Sequence, residues 1–213
     1  MKRFFILILG LMVASATAQE VKNYRGSQYG LGFMLAELGA GISGYIRLPI
    51  DYNLTAGLVG GFYIMRDEGQ VDLPNPYNPD FLISYNKPNN LYYLSLYGEL
   101  KKRFGEDYVE NSVRPFWVIG GGLIYGMNYP ERSNQLISDG EGGEVIETIQ
   151  PPNEFELGYQ ANLGFGIDIS AGRDFTLSIR PQYKLIMFSD PIAGRNNHSQ
   201  VELRFEFGST KSL

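Results

Sequence analysis

From residue 27 onward the chain alternates apolar and polar side chains with a period of two. The clearest run lies at 175–185, where Phe175, Leu177, Ile179, Pro181, Tyr183 and Leu185 fall on one face. Thr176, Ser178, Arg180, Gln182 and Lys184 fall on the other. A helix would repeat every 3.6 residues, so strict alternation over this length predicts a strand. The last such run places Val201, Leu203, Phe205 and Phe207 opposite Glu202, Arg204 and Glu206. Eight segments read this way, at 28–37, 40–49, 54–65, 91–104, 115–129, 154–170, 175–188 and 199–208. Segment 115–129 carries the least clear alternation, because Gly120, Gly121 and Gly122 blur both faces. Pro181 predicts a bulge or an end-of-ladder position, since proline cannot donate to a ladder.

The connections alternate in length. Those at 66–90 and 130–153 are long and are both odd-numbered, so they share one side of the sheet, whereas 50–53 and 171–174 are tight. Long loops on one side and short turns on the other is the pattern of a barrel threaded through a membrane. The short first hairpin near Leu38 and Gly39, and the longer even connection 105–114, depart from it. No internal repeat or linker divides the chain.

The first residues carry a different signal. Lys2 and Arg3 precede an apolar run at 4–14, followed by Ala16, Thr17 and Ala18 before Gln19. A charged start, a short apolar stretch and an A-x-A site predict a secretory signal peptide over 1–18, cleaved between Ala18 and Gln19. The run is too short for a spanning helix, which needs about 20 apolar residues. Residues 19–26 then form a short N-terminal segment, 27–208 the barrel and 209–213 a C-terminal tail. Loss of Lys2 and Arg3 takes the formal charge from −5 to −7.

Alternation alone leaves open which face is inside. The apolar face is large and continuous in nearly every strand. The polar face is rich in glycine (Gly30, Gly32, Gly57, Gly61, Gly158, Gly164 and Gly166). Glycine weakens a strand, so its abundance suits a narrow lumen that must also hold long charged side chains. Aromatics cluster toward the segment ends at Tyr29, Phe62, Tyr92, Trp117, Tyr129, Phe155 and Phe175, as an interfacial girdle would. The reading is an all-β, eight-stranded antiparallel up-and-down transmembrane barrel, apolar outside. A soluble ligand-carrying barrel is the inverse alternative.

By this pattern, and by the closing strand 200–207, the chain resembles the small eight-stranded outer-membrane β-barrel proteins of double-membraned bacteria. The resemblance implies a bacterial outer-membrane location. It also implies that a final amphipathic strand ending in an aromatic, here Phe207, is read by the barrel-insertion machinery. This sequence departs in carrying six residues beyond Phe207.

With the apolar face toward lipid, the inward charges are Arg47, Lys101, Arg103, Arg180, Lys184 and Arg204 against Glu99, Glu156, Asp168, Glu202 and Glu206. Unpaired charge is costly in a low dielectric, so this set should pair internally and fill the axis. An eight-stranded barrel is just wide enough for side chains to fill. A packed lumen predicts a structural or surface-interaction role through loops 66–90 and 130–153. Two rival readings are a narrow passive channel lined by Arg180, Lys184, Glu202 and Arg204, and a lipid-modifying barrel enzyme. For the latter, adjacent His198 and Ser199 would face opposite sides of a strand rather than act together.

Composition excludes much else. With no Cys, neither disulfides nor a thiolate metal site is available, and a single His, His198, nearly rules out a His-built one. An excess of Asp and Glu (23) over Lys and Arg (18) argues against nucleic acid as partner. The acidic, Gly-rich stretch 139–144 lacks a full calcium-loop pattern, and Gly120, Gly121 and Gly122 lack the Lys-Ser/Thr of a phosphate loop. No cofactor is expected. The expected partners are outer-membrane lipid, the insertion machinery and an extracellular component at the loops, with the chain itself a monomer.

Overall fold

Thirteen strands follow in chain order in the computed structural model. They are β1 (Ser27–Ala36), β2 (Gly39–Asp51), β3 (Leu54–Met65), β4 (Val71–Asn75), β5 (Asn78–Tyr85), β6 (Asn89–Arg103) and β7 (Val113–Pro130). Then come β8 (Ser133–Ser138), β9 (Glu144–Ile149), β10 (Glu154–Ala171), β11 (Phe175–Ile192), β12 (Arg195–Asn197) and β13 (Gln200–Lys211). The structure describes residues 26–66, 71–75, 78–85, 89–104, 113–130, 133–138, 144–149, 151–171 and 175–211. The expected leader with its Ala18–Gln19 cleavage point lies outside the described residues, as do 139–143 of the acidic stretch.

Eight of these strands close on themselves. Each of β1, β2, β3, β6, β7, β10, β11 and β13 pairs antiparallel with the next, and β13 pairs back onto β1 from Ser27↔Lys211 to Ala36↔Glu202. The chain is therefore a closed, all-antiparallel, up-and-down barrel without a free edge. The eight wall strands coincide with the eight alternating segments to within a few residues.

Three expectations need correction. The long connections 66–90 and 130–153 are not plain loops, for each holds a two-stranded hairpin, β4–β5 and β8–β9. Pro181 sits in neither a bulge nor a ladder end. The β10–β11 register is the same at Gly164↔Gln182 and Ile167↔Ile179, with only the intervening pairs missing, while Pro181 pairs with Leu203 of β13. A proline is tolerated mid-strand because the ladder skips the position where its missing N–H would be needed. In addition, β13 continues to Lys211, beyond the boundary expected at 208.

The barrel has two unlike ends. Both ends of the described chain and the short connections, such as that at 52–53, lie at the turn end. The 37–38 turn and the two hairpins lie at the hairpin end, where β11 also folds back through Ala193 and Gly194 into β12. Both turn residues have positive φ, 47° and 75°.

Polarity is the reverse of a water-soluble barrel. Leu31, Ile42, Ile46, Leu58, Leu96, Leu157, Leu163, Phe165 and Val201 are exposed on the outer wall, whereas Arg47, Arg180, Arg204, Glu99 and Glu206 are buried within. Phe62, Tyr92, Tyr129 and Phe155 form a run of ring contacts, 5.7–6.1 Å between centroids, around part of the hairpin end. Tyr29, Trp117 and Phe175 stand toward the turn end. Leu163, mid-strand in β10, points outward from the centre of the apolar belt. Leu163→Arg is expected to destabilise the barrel by about 2–4 kcal/mol in lipid vesicles, the cost of a cation at the bilayer midplane. Equilibrium urea unfolding in those vesicles measures it.

Candidate functional site: the barrel interior

Alternation sends one row of each wall strand inward, and the inward rows meet in three layers. In the middle layer Arg47 of β2 binds Glu99 of β6 through Nε at 2.6 Å and through Nη2, and Glu206 of β13 through Nη2 at 2.8 and 2.9 Å. Arg180 of β11 reaches the same two carboxylates, Glu99 at 2.9 Å and Glu206 at 3.1 Å. Two arginines and two glutamates thus alternate in a closed ring. Arg204 extends it, with Nε 2.8 Å from Glu206, Nη2 donating to Ser43 Oγ at 2.7 Å, and Nη1 donating to Tyr97 Oη.

Toward the turn end, Asp168 of β10 collects three donors. Lys101 Nζ donates to it at 2.6 Å, Arg103 Nε at 2.6 Å and Ser178 Oγ at 2.5 Å. Arg103 also donates to Gln28 Oε1 at 3.3 Å. Above the ring, toward the hairpin end, Lys184 Nζ donates to Tyr63 Oη and Gln182 Nε2 to Glu202 Oε1.

Among the described residues, six buried cations face four buried carboxylates. Aromatic faces take up part of the difference. The Lys101 ammonium lies 3.8 Å from the centre of the Phe116 ring, Lys184 Nζ 3.8 Å from that of Tyr63, and the Arg47 guanidinium 4.0 Å from that of Tyr45. A desolvated cation over a ring gains on the order of 2 kcal/mol. Glycine makes room for these long side chains. A Cβ at Gly57 would stand 2.6 Å from Arg47 Cγ, and one at Gly166 would stand 2.7 Å from Arg180 Cβ.

The expected lumen residues are thus placed as follows. Arg47, Glu99, Arg180, Arg204 and Glu206 come together in the ring, Lys101, Arg103 and Asp168 in the turn-end cluster, and Lys184 and Glu202 lie in the layer above. Glu156 is only half-buried and stands outside all three.

Alternation as read above missed what closes the hairpin end. Met34, Tyr63, Met65, Leu91, Tyr93, Ile124, Ile186, Phe188 and Ile192 form one buried apolar cluster inside the barrel. The signal was present in the rows themselves, since Ile186 and Phe188 share parity with Arg180 and Lys184, and Tyr93 with Glu99. The β11–β12 fold-back brings Ile192 into this cluster. Glu154 Oε2 secures the fold-back, accepting from Ala193 N–H at 2.7 Å and from Asn128 Nδ2 at 2.8 Å.

His198 is part of this seal. Its ring stands edge-on to Tyr93 and Phe188 at 5.9 and 5.5 Å, and its Nε2 lies 3.1 Å from the carbonyl oxygens of Ile192 and Arg195. Ser199 Oγ instead donates to Asn197 Oδ1 at 2.5 Å and accepts from Ile186 N–H at 3.2 Å. His198 and Ser199 thus make separate hydrogen bonds, the ring to backbone carbonyls and the hydroxyl to Asn197 and Ile186. No group of His, Asp or Glu able to hold a metal ion occurs among the described residues.

No family model and no curated protein matches the chain in sequence. Solved structures similar to it include the N-terminal β-barrel domain of Pseudomonas aeruginosa OprF, at 11% identity and TM-score 0.44, covering 89% of this chain and 100% of that one. Neisserial surface protein A matches at 10% identity and TM-score 0.44, over 88% and 96% of the two chains. The outer membrane enzyme PagL matches at 11% identity and TM-score 0.40, over 87% and 99%. Closure of the eight-stranded barrel itself rests on the hydrogen-bond ladders of this chain.

Removing one partner of a buried ion pair typically costs about 3–5 kcal/mol, because the charge left behind stays desolvated. Glu206 serves three arginines, so Glu206→Gln is expected to lose at least the lower end of that range. The denaturant midpoint of the refolded barrel reads the loss.

Proposed function

We propose that this chain is an outer-membrane barrel with a sealed interior, which acts through the connections and hairpins at one end rather than through its lumen. The observation that carries the reading is the inverted polarity: an apolar outer wall with aromatics toward both ends, around a charged interior. Such a wall is stable only against hydrocarbon, and a closed barrel is one of the two structures that satisfy every backbone group there. Long connections face outward in bacterial barrels, which would put β4–β5 and β8–β9 on the cell surface and the short turns in the periplasm.

The interior argues for a plug. An ion following the path Arg180, Lys184, Glu202 and Arg204 would have to break charge-assisted hydrogen bonds and then cross the apolar cluster from Met34 to Ile192. A lipid-modifying activity finds no support in the separate partners of His198 and Ser199. In this reading the partners are outer-membrane lipid, the insertion machinery acting on β13, and an extracellular component met by the hairpin end. The barrel works as a monomer without a cofactor.

The protein is expected in the outer-membrane fraction, migrating faster unheated than boiled on a denaturing gel. Protease added to intact cells should cut within 66–90 or 130–153 and spare the wall strands. Reconstituted in planar bilayers, it should carry no steady current. Recovery from the periplasm without detergent overturns the membrane location, and steady wild-type conductance overturns the plug in favour of the channel.

A further inference from the structure

Three outward-facing cross-strand pairs follow one another along β2 and β3: Ile46 with Leu58, Gly44 with Gly60, and Ile42 with Phe62. The glycine pair is a notch between two bulky pairs. Leu31 of β1, paired with Gly44, closes it on one side, and Leu96 of β6, paired with Gly60, on the other. Leu31 is the most exposed large apolar residue on the wall, at 71%.

Two hollows meet at this notch. One, of about 750 Å³, opens toward Phe62, Leu94 and Tyr125. The other, of about 440 Å³, opens toward Tyr29, Ile46 and Leu58. Both include Leu31, Gly44 and Gly60, so the glycine pair is the pass that joins them.

Nothing among the described residues calls for glycine here. Neither residue has the left-handed backbone that favours glycine, which among described glycines occurs only at Gly194. A Cβ would meet no atom nearer than 3.9 Å at Gly44 or 4.0 Å at Gly60. At inward glycines such as Gly57 the same Cβ would collide with the packed lumen, and glycine is explained. At Gly44 and Gly60 it costs strand stability without making room for any side chain of the barrel. The space it leaves is outside the wall.

We infer that this notch and its two hollows form a binding site for one acyl chain of a membrane lipid. Both hollows are lined without a charged side chain, so the occupant contributes hydrocarbon and no ionic group. A chain suits these walls better than a protein face does, since the exposed side chains of Leu31, Ile42, Ile46, Leu58 and Leu96 stand around the glycine pair and leave the hollow between them. A hydrocarbon chain threads such a pass and buries methylenes on both sides, each worth about 0.8 kcal/mol.

The site rests on the outer wall facing lipid, and the experiment separates the two claims. Barrel extracted from membranes in mild detergent is examined by native mass spectrometry as wild type, as the double variant Gly44→Leu/Gly60→Leu, and as Val201→Leu, which adds bulk elsewhere on the belt. All three should fold, because the added side chains point into open space. Wild type and Val201→Leu are expected to retain one lipid per chain, and the double variant to retain it roughly tenfold less, as expected if about two methylene contacts are lost. Equal retention in all three overturns the site. So does a wild-type complex that holds a second barrel chain in place of lipid. Recovery of the wild type from the periplasm without detergent, carrying no lipid, overturns the membrane reading beneath it.

Discussion

Charge enclosed by an apolar wall is the constraint on which this structure depends. An eight-stranded barrel has one narrow axis, and water cannot reach its middle to solvate the arginines placed there. The alternating ring of Arg47, Glu99, Arg180 and Glu206 answers this by giving each charge two opposite neighbours. The four residues come from β2, β6, β11 and β13, of which only β11 and β13 are neighbours, so the ring also ties strands across the axis. Many features of the wall follow from fitting it in, among them the glycines opposite the arginine stems and the rings laid against excess cations.

The interior is graded from one end to the other. Ionic contacts fill the turn end and the centre, a mixed layer of Lys184, Tyr63, Gln182 and Glu202 follows, and apolar side chains finish at the hairpin end. A local clamp fixes that last layer. Glu154 pins the fold-back carrying Ile192, and the His198 ring packs against the aromatics beneath it. The one non-glycine residue with positive φ among those described, Ala193, sits in this fold-back.

Much of this was legible in the sequence because the wall has only one periodicity. Phe175 to Leu185 in alternation can be nothing but a two-faced strand, and the charged parity of β6, β11 and β13 named the lumen. Legibility ended where apolar residues occupy the inward parity. Ile124, Ile186 and Phe188 look like wall residues by type and are recognised as interior only by counting from Arg180 or Gly120. It ended again in the long connections, where β4 and β5 pair as short strands instead of forming open loop. Glu156 shows the opposite limit, since parity places it inward but its position near the strand end leaves it half-solvated.

The closing strand supplies Gln200, Glu202, Arg204 and Glu206, two of them among the four buried carboxylates described, and it is the last of the thirteen in the chain. Until it docks between β11 and β1, Arg47 and Arg180 each lack one of their two carboxylates and β1 has an open edge. Zipping the seam and neutralising the axis are therefore one event. A nascent barrel short of β13 would keep both an open seam and unneutralised arginines, so the last strand completes the wall and the charge balance in one step.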